Sequence, residues 1–496
     1  MHGGYICSER RNSLGLPHSI LIEMKHLLLA LCLLFAHPFM GQDRALNPVE
    51  EQLQQLAADP AFAHGHLAFT AMNVDNGQML AEYNSGRAMI PASIMKLYTT
   101  WVAMKTLGVD HRFETKFLHT GAVQDGVLNG DLIIVASGDP SLGSRYFTGK
   151  DVLGEIKYTL DKAGIKSING KVHYDLSVHY PHNTPRGYIW EDMGNYFGAT
   201  PTALVWRDNT IPLHFKSGEA GSMAELITEL PADKPYEFLH RIEASNENKD
   251  DAWFFSAPMT RLVYGEGSIP ANQSDFVVKI ADPDPVFTFH HELQEKLGMD
   301  LEYQQHYDPY RPDQTKTLHI ITSPSLKELV TLINQQSVNL FAEAVLIALD
   351  PQKENKKISG GLEYVQQQLK TQRAPIRAMR MMDGSGASPM NRLSADEVVQ
   401  LLFIASMDPQ FPAYEESLAI GGEVGTLKWY FKDAALQGNV KGKSGSMKGT
   451  RNYAGYVTNE QGERIAFSLF MNDFDEARKQ EVISKFEAVL TAAVQQ

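Results

Sequence analysis

The chain has 496 residues, with 45 Lys+Arg against 59 Asp+Glu, a formal charge of −14, 43 % apolar residues and two cysteines. At about 150 residues per domain it has room for roughly three domains or one large domain with insertions, and its ordinary apolar and charged fractions exclude a disordered or fibrous chain. An acidic balance with no long basic run excludes a phosphate-backbone binder, so no nucleic-acid partner is expected.

The block LLLALCLLFA at 27–36 follows Met24-Lys25-His26 and precedes the small residue Gly41. This is the charged, apolar and cleavage pattern of a secretory signal peptide, and ~10 apolar residues are too few to span a bilayer. Residues 1–41 are therefore expected to be an upstream extension plus signal, with Met24 the initiator and cleavage near Gly41. Cys7 and Cys32 both fall in that segment, which leaves the exported chain without a thiol nucleophile, thiolate metal site or disulfide. No later stretch approaches 18 consecutive apolar residues, so no integral membrane segment is expected, and no basic amphipathic extension follows the final helix to act as an anchor.

Residues 46–60 carry a helical pattern. The run 67–86 alternates apolar and polar residues around Asp75-Asn76-Gly77, a hairpin signal. PASIMKLYTTWVAMKTLG (91–108) reads as a helix opening with Pro91. Segments 112–137 and 168–180 read as short strands with Gly-rich turns, and 231–290 as Pro-bounded strands with polar loops. A helical pattern returns at 325–349, with Ser337 near a break, and continues through 360–372 and 394–407. Residues 438–473 form three strand-like runs, and Glu476–Gln496 one amphipathic helix. This order predicts an α+β body whose sheet uses both ends of the chain, with the differently textured middle inserted into it.

Ser93 and Lys96 form an S-x-x-K pair. On a helix, positions i and i+3 share a face about 5–6 Å apart, so the amine reaches the hydroxyl. A neutral lysine can take the serine proton, which requires its pKa to fall from about 10.4 towards about 7–8 through burial or a second cation. Ser337-Val338-Asn339 supplies S-x-N, and Lys443-Ser444-Gly445 supplies K-[ST]-G on a strand where Gly442 and Gly445 allow close backbone approach. Ser167-Ile168-Asn169 and Lys216-Ser217-Gly218 also fit these patterns. Only 93/96, 337/339 and 443–445 combine the right order with a helix start, a helical region and a late strand, the trio of penicillin-binding proteins and class A β-lactamases.

On these motifs, with Gly138-Asp139-Pro140-Ser141-Leu142, WEDMGNYFGATPTAL (190–204) and Asp383-Gly384-Ser385-Gly386-Ala387-Ser388, the chain resembles the class C, low-molecular-mass penicillin-binding proteins, D-alanyl-D-alanine carboxypeptidases/endopeptidases of the penicillin-recognising serine peptidase superfamily. About half of the chain separates Ser93 from Ser337, and this long interval is itself a family hallmark. The resemblance implies a β-lactamase/transpeptidase-like α+β domain, an antiparallel sheet flanked by helices with an all-α subdomain, formed by 42–111 and 316–496. It implies two inserted domains, assigned here to 112–138 with 212–315 and to 139–211. It further implies a periplasmic enzyme without a cofactor, with peptidoglycan stem peptides as substrate and β-lactam antibiotics as covalent inhibitors. Ser93 would be the nucleophile, Lys96 its base and Ser337 the proton relay to the leaving amine. Asn339 would orient substrate and bond near Lys96, and Lys443 would hold the terminal carboxylate and supply the cation that depresses Lys96. Ser444, Gly445, Ser446 and Met447 would line the substrate, and the N–H groups of Ser93 and Ser446 would form the oxyanion hole. Asp192 and Tyr196 are candidates for the peptide side chain's amine.

Val338 stands where the family has Asp, at a position expected to point away from the cleft, and Ser444 keeps the hydroxyl of the usual Thr. Pro389 follows Ser388, with Arg392 three residues on, where some relatives place a peptide-binding Arg. Two other functions remain open: a catalytically weak periplasmic muropeptide-binding protein, and a β-lactamase, for which Glu191…Asn195 has the spacing of a deacylating loop. His64-x-His66 and His290-His291-Glu292 lack zinc-ligand spacing and are read as surface loops, so no metal is expected.

Overall fold

A computed structural model describes residues 45–256 and 260–496. The expected extension, signal peptide and both cysteines lie outside the described residues. Pro48–Gln496 forms one compact unit.

The described residues open with helix α1 (Pro48–Ala57), then strands β1 (His66–Asn73) and β2 (Met79–Tyr83), an antiparallel hairpin turning at Asp75-Asn76-Gly77. A 3-10 turn, Ala92–Met95, leads into helix α2 (Lys96–Leu107). After the insertion come helices α3 (Leu326–Gln335), α4 (Asn339–Ala348), α5 (Ile358–Thr371) and α6 (Ala395–Ser406). Strands β3 (Ala419–Ile420), β4 (Lys441–Met447), β5 (Thr450–Thr458) and β6 (Arg464–Asn472) follow, and helix α7 (Lys479–Val494) closes the chain.

The six strands pair antiparallel in the order β3-β4-β5-β6-β1-β2, so the two ends of the chain do share one sheet. Strand alternation sends Leu67, Phe69, Phe467, Leu469 and Met471 to one face, where they pack on Val49, Leu53, Phe486 and Leu490 of the terminal helices. Ala68, Met72, Ala466 and Phe470 face the other way, into the core of α2–α6. With both faces covered, β6 is buried almost throughout.

The insertion divides differently from the expected 112–138 with 212–315 against 139–211. A five-stranded sheet runs in the order Tyr303–His306, Val172–Asp175, Leu132–Val135, Glu114–His119, Lys316–Thr322. Two of its pairings are parallel, and a parallel pair needs a long crossover. Helix Val152–Lys162 serves as the crossover between the strands at 132–135 and 172–175, so residues 139–171 belong to this sheet's own core. Thr210–Ala281 instead builds two three-stranded sheets around Leu213, Phe215, Ile242, Phe254, Val263 and Ile280. Lys316–Thr322 pairs with Glu114–His119, so the catalytic body resumes after 322 and not at 316.

The stretch 283–290 is also corrected. Asp284 accepts from the Phe287 N–H and Pro285 opens a helix, Pro285–Leu297. His290 on that helix is buried, bonded to the Tyr174 hydroxyl at 2.9 Å and the Leu301 carbonyl at 2.8 Å, so it is a core residue and not a surface loop. His64 and His66 are exposed. Among the described residues there is no cluster of three or more His, Cys, Asp or Glu able to hold a metal, and no helix is long and apolar enough to cross a membrane.

Asp59 ties the two terminal helices together. Burial pushes its carboxyl up, but hydrogen bonds from Arg478, Lys485 and the Ala61 N–H outweigh this and hold it well below the usual carboxylate range. Asp59→Asn is expected to lower unfolding free energy by about 1–2 kcal/mol, discounted because both cations are partly exposed. A depressed carboxyl stabilises above its unfolded pKa near 3.9 and loses that contribution as pH falls through its native value. Urea unfolding at pH 7 and pH 3 should therefore show the difference between the two proteins at the first pH and a smaller one at the second.

Candidate active site

Of residues 91–96 only Ser93 is not fully buried. The preceding Ala92 holds φ 47°, a left-handed conformation that costs a non-glycine residue about 1–3 kcal/mol and persists only where the surroundings fix it. Two buried asparagines on the sheet do so. Asn452 Nδ2 donates to the carbonyls of Ile90 and Pro91, each at 2.9 Å, and Asn472 Oδ1 accepts from the Ile90 N–H at 2.7 Å. A Cβ at Gly445 of β4 would lie 2.5 Å from the Pro91 carbonyl oxygen and 3.2 Å from the Ser93 nitrogen. One at Gly386 would lie 1.9 Å from the Ala92 carbonyl oxygen. The serine turn is thus clamped between the strand of the third motif and the 383–388 loop.

Lys96 is fully buried on the first turn of α2. Its Nζ lies 3.0 Å from Ser93 Oγ, 2.7 Å from Asn339 Oδ1 and 2.6 Å from the Ser385 carbonyl oxygen. Asn339 Nδ2 donates to the Phe197 carbonyl at 2.8 Å, which turns the amide oxygen towards the lysine. The two carbonyl oxygens only accept. They occupy the two N–H bonds of a neutral amine and leave its lone pair directed at the Ser93 hydroxyl.

Burial lowers Lys96 to about 7, against the opposing pull of the Glu343 and Asp383 carboxylates. The expectation that Lys443 causes this depression is therefore corrected: desolvation does. Lys443 is buried as well and is pushed well below the ordinary lysine range, first by burial and then by the charge of Lys96. Repulsion between the two ammoniums is mutual, so the pocket holds one positive charge more readily than two. Lys443 Nζ donates to Ser337 Oγ at 2.9 Å and to the Ser444 carbonyl at 2.8 Å.

Ser337 occupies the break between α3 and α4 with φ 60°, and this kink separates the helices. Val338 packs into the helical core, as a side chain turned away from the cleft should. Ser444 donates to Thr426 Oγ1 at 2.7 Å, while Ser446 is exposed and Met447 half-buried at the strand's end. Ser93, Lys96, Ser337, Asn339 and Lys443 are thus linked around one cleft. The look-alike motifs stay apart from it: Ser167 and Ile168 form a short strand of the insertion, and Ser217 bonds the Pro270 carbonyl.

Asp192 is half-buried, and burial, with Glu191 adding, raises it to about 6. Tyr196 is exposed and lines a neighbouring groove. Asn195 is committed to structure, its amide bonding the main chain of Glu191 and both main-chain groups of Phe254. Nothing in that arrangement poises a deacylating water. The Arg392 guanidinium is tied to the carbonyls of Pro389 and Asn391.

Glu343 is a site residue that motif reading missed. It is fully buried on α4, its carboxylate accepting the N–H groups of Gly384 at 3.0 Å and Ser385 at 2.7 Å. It thereby holds Ser385, the residue whose carbonyl receives Lys96. Asp383 does the same for the rest of the loop, accepting from Gly386, Ser388 and Asn391. Burial and the Asp383 charge raise Glu343 to about 7. The legible signal is a lone carboxylate within the apolar run NLFAEAVLIA. Heteronuclear NMR of lysine-labelled protein should show the Lys96 amine titrating near pH 7. Glu343→Gln, by removing a carboxylate that favours the ammonium, should move that midpoint to lower pH; a midpoint near 10 would contradict the arrangement.

The D-Ala-D-Ala carboxypeptidase 3 (S13) family model matches residues 49–493. The D-alanyl-D-alanine carboxypeptidase DacB of Haemophilus influenzae is 27 % identical over 429 residues, 82 % of this chain and 86 % of the relative. The D-alanyl-D-alanine carboxypeptidase of an Actinomadura species is 24 % identical over 476 residues, 90 % and 85 % of the two chains. The crystal structure of penicillin binding protein 4 (dacB) from Haemophilus influenzae superposes with a TM-score of 0.76 at 25 % identity, covering 90 % of this chain and 99 % of that one. The Ser93–Lys96 pair thus sits in a match spanning almost every described residue, and the chain belongs to the D-Ala-D-Ala carboxypeptidase 3 (S13) family of penicillin-binding serine peptidases.

Proposed function

We propose that the protein is an exported D,D-carboxypeptidase, and D,D-endopeptidase, that trims peptidoglycan stem peptides through a Ser93 acyl-enzyme and is acylated at the same serine by β-lactams. The observation that carries this reading is the fully buried Lys96 amine, its two N–H directions taken by carbonyl oxygens and its third facing Ser93 Oγ. In the proposed reaction Ser93 Oγ attacks the carbonyl carbon of the penultimate D-Ala as its proton passes to Lys96 Nζ. The N–H groups of Ser93 and Ser446 receive the developing oxyanion, a preorganised contribution of the kind worth several kcal/mol in acyl transfer. Ser337, held by Lys443, passes a proton to the departing amine and takes its replacement from the Lys96 ammonium, which returns Lys96 to the neutral base. The C–N bond breaks, the terminal residue leaves, and water then hydrolyses the ester with Lys96 again accepting a proton. Asn339 orients the substrate amide. Lys443 with the Ser444–Met447 strand receives the free carboxylate, and Asp192 and Tyr196 face the peptide's side chain. The crystallised Haemophilus relative has also been solved with a β-lactam bound, which supports the inhibitor reading. Export rests on the signal-like segment before Gln42, with the periplasm as destination.

Fluorescent penicillin is expected to label the protein and to leave Ser93→Ala unlabelled, with carboxypeptidase activity falling by about 10,000-fold or more. Mass spectrometry of treated peptidoglycan fragments should show loss of terminal D-Ala and opening of cross-links. Absence of labelling with retained muropeptide binding would favour the non-catalytic alternative, and rapid nitrocefin turnover the β-lactamase.

Lys443 makes a second outcome specific. Burial and Lys96 push its ammonium towards neutrality in the free protein, and an arriving carboxylate favours the charged form again. Binding of a peptide with a free C-terminal carboxylate to Ser93→Ala near pH 8 should therefore be accompanied by net proton uptake, read as a dependence of calorimetric heat on buffer ionisation enthalpy. The C-terminal amide of the same peptide should show no uptake.

A further inference from the structure

A groove of about 740 Å³ opens beside the cleft, lined by Arg145, Tyr196, Phe197, Trp253, Val277 and Lys279 among others. Its two long walls are sheet edges. Asp251–Phe255 is the outer strand of one three-stranded sheet of the insertion, and Phe276–Ala281 the outer strand of the other. At one end Gly194-Asn195 bridges both. The Ala281 N–H donates to the Gly194 carbonyl at 3.0 Å, and the Asn195 amide takes the Phe254 N–H at 3.1 Å and carbonyl at 3.2 Å. Main-chain groups alternate sides along a strand, so those of Lys279 and Val277 point the same way as that of Ala281, past the bridge and into the groove. By the same alternation the Ala252 carbonyl faces it from the other wall, while its N–H is taken by Asp250 at 3.2 Å. The short 194–195 segment makes the contacts that an incoming peptide main chain would continue.

The side chains suit an acidic peptide. Trp253 and Tyr196 present exposed rings, with Arg145 over Tyr196 at 5.9 Å. Arg145 reaches Asp208 at 3.6 Å and donates to the Tyr146 hydroxyl at 3.0 Å, while Lys279, whose charge also acts on Asp208, makes no ion pair or hydrogen bond of its own among the described residues. Asp250 is the one carboxylate in the lining. The groove also adjoins the chemistry: Phe197, in its wall, gives its carbonyl to Asn339, whose oxygen receives Lys96.

We propose that this groove binds the second stem peptide of a cross-linked substrate, its main chain along the Val277–Lys279 edge, its carboxylate at Lys279 and Arg145, and its side chains on Trp253. The assignment rests on the proposed function and makes the cross-linked dimer a better substrate than the monomer. The test compares hydrolysis of a peptide-cross-linked dimer of stem peptides with that of the corresponding monomer by wild type, Trp253→Ala and Lys279→Glu, with penicillin acylation rate as the control for an intact catalytic centre. The expected result is a KM for the dimer raised about tenfold by each substitution, with kcat/KM for the monomer and the acylation rate unchanged. Lys279 is exposed on an edge strand, so its variant keeps the test valid if the tryptophan variant fails to fold. Equal effects on dimer and monomer, an unchanged dimer KM, or a wild type that cleaves only the monomer would overturn the groove assignment while leaving the proposed function standing. A wild type that is neither acylated nor active on either peptide would sink both.

Discussion

A buried amine placed between two carbonyl oxygens and one hydroxyl is the constraint on which the rest of this structure depends. A carbonyl oxygen only accepts, so Asn339 and Ser385 dictate where the hydrogens on Lys96 lie, and the remaining direction falls on Ser93. Desolvation favours the neutral amine, and geometry aims its lone pair. Neither is sufficient alone. A neutral lysine with free rotation would spend its lone pair on solvent, and a well-aimed ammonium has no lone pair to offer.

Holding that arrangement requires parts of the chain remote from one another in sequence. The hydroxyl comes from a strained turn pinned by asparagines on β5 and β6, one acceptor from the head of α4, and the other from a loop whose shape is set by two buried carboxylates. The large insertion between Ser93 and Ser337 is tolerated because both its ends return to the same place, where Ser323 bonds the Phe113 main chain beside the start of α3. The insertion then acts back on the site through the Phe197 carbonyl, which fixes the Asn339 rotamer. Loss of that contact would let the amide flip and present a donor to Lys96.

The candidate site was legible because the residues brought together there lie in motifs of short spacing. Ser93 and Lys96 meet by helical periodicity, and Lys443 lies in a strand where Gly445 leaves no room for a Cβ beside Pro91. The hairpin at Asp75-Asn76-Gly77 and the β4–β6 meander were legible for the same local reason. What escaped was non-local. The inserted sheet pairs 132–135 with 172–175 and 172–175 with 303–306 in parallel, and no adjacent turn announces such partners, so the division at 139 and 212 followed texture where topology was needed. His290 looked like a loop residue because its partners, Tyr174 and Leu301, come from separate strand and loop segments. Glu343 was hidden because its value lies in main-chain N–H groups about forty positions away, which leave no trace in side-chain motifs.

Four ionisable side chains, Lys96, Lys443, Glu343 and Asp383, are buried together, and each is pushed towards neutrality. A low-dielectric pocket tolerates small changes in net charge and resists large ones. The proposed acylation respects this limit. When the serine proton moves to Lys96, the cation forms beside the developing oxyanion and near carboxyl groups that already favour it, so charge is separated without net charge entering the pocket. In the proposed complex the substrate carboxylate would likewise be matched by a proton that Lys443 takes up from solvent. The same reasoning explains why the carboxyl groups sit behind the loop and not against the serine. At the distance of one peptide unit they organise N–H donors and temper the lysine, whereas direct contact would hold Lys96 as an ammonium and remove the base.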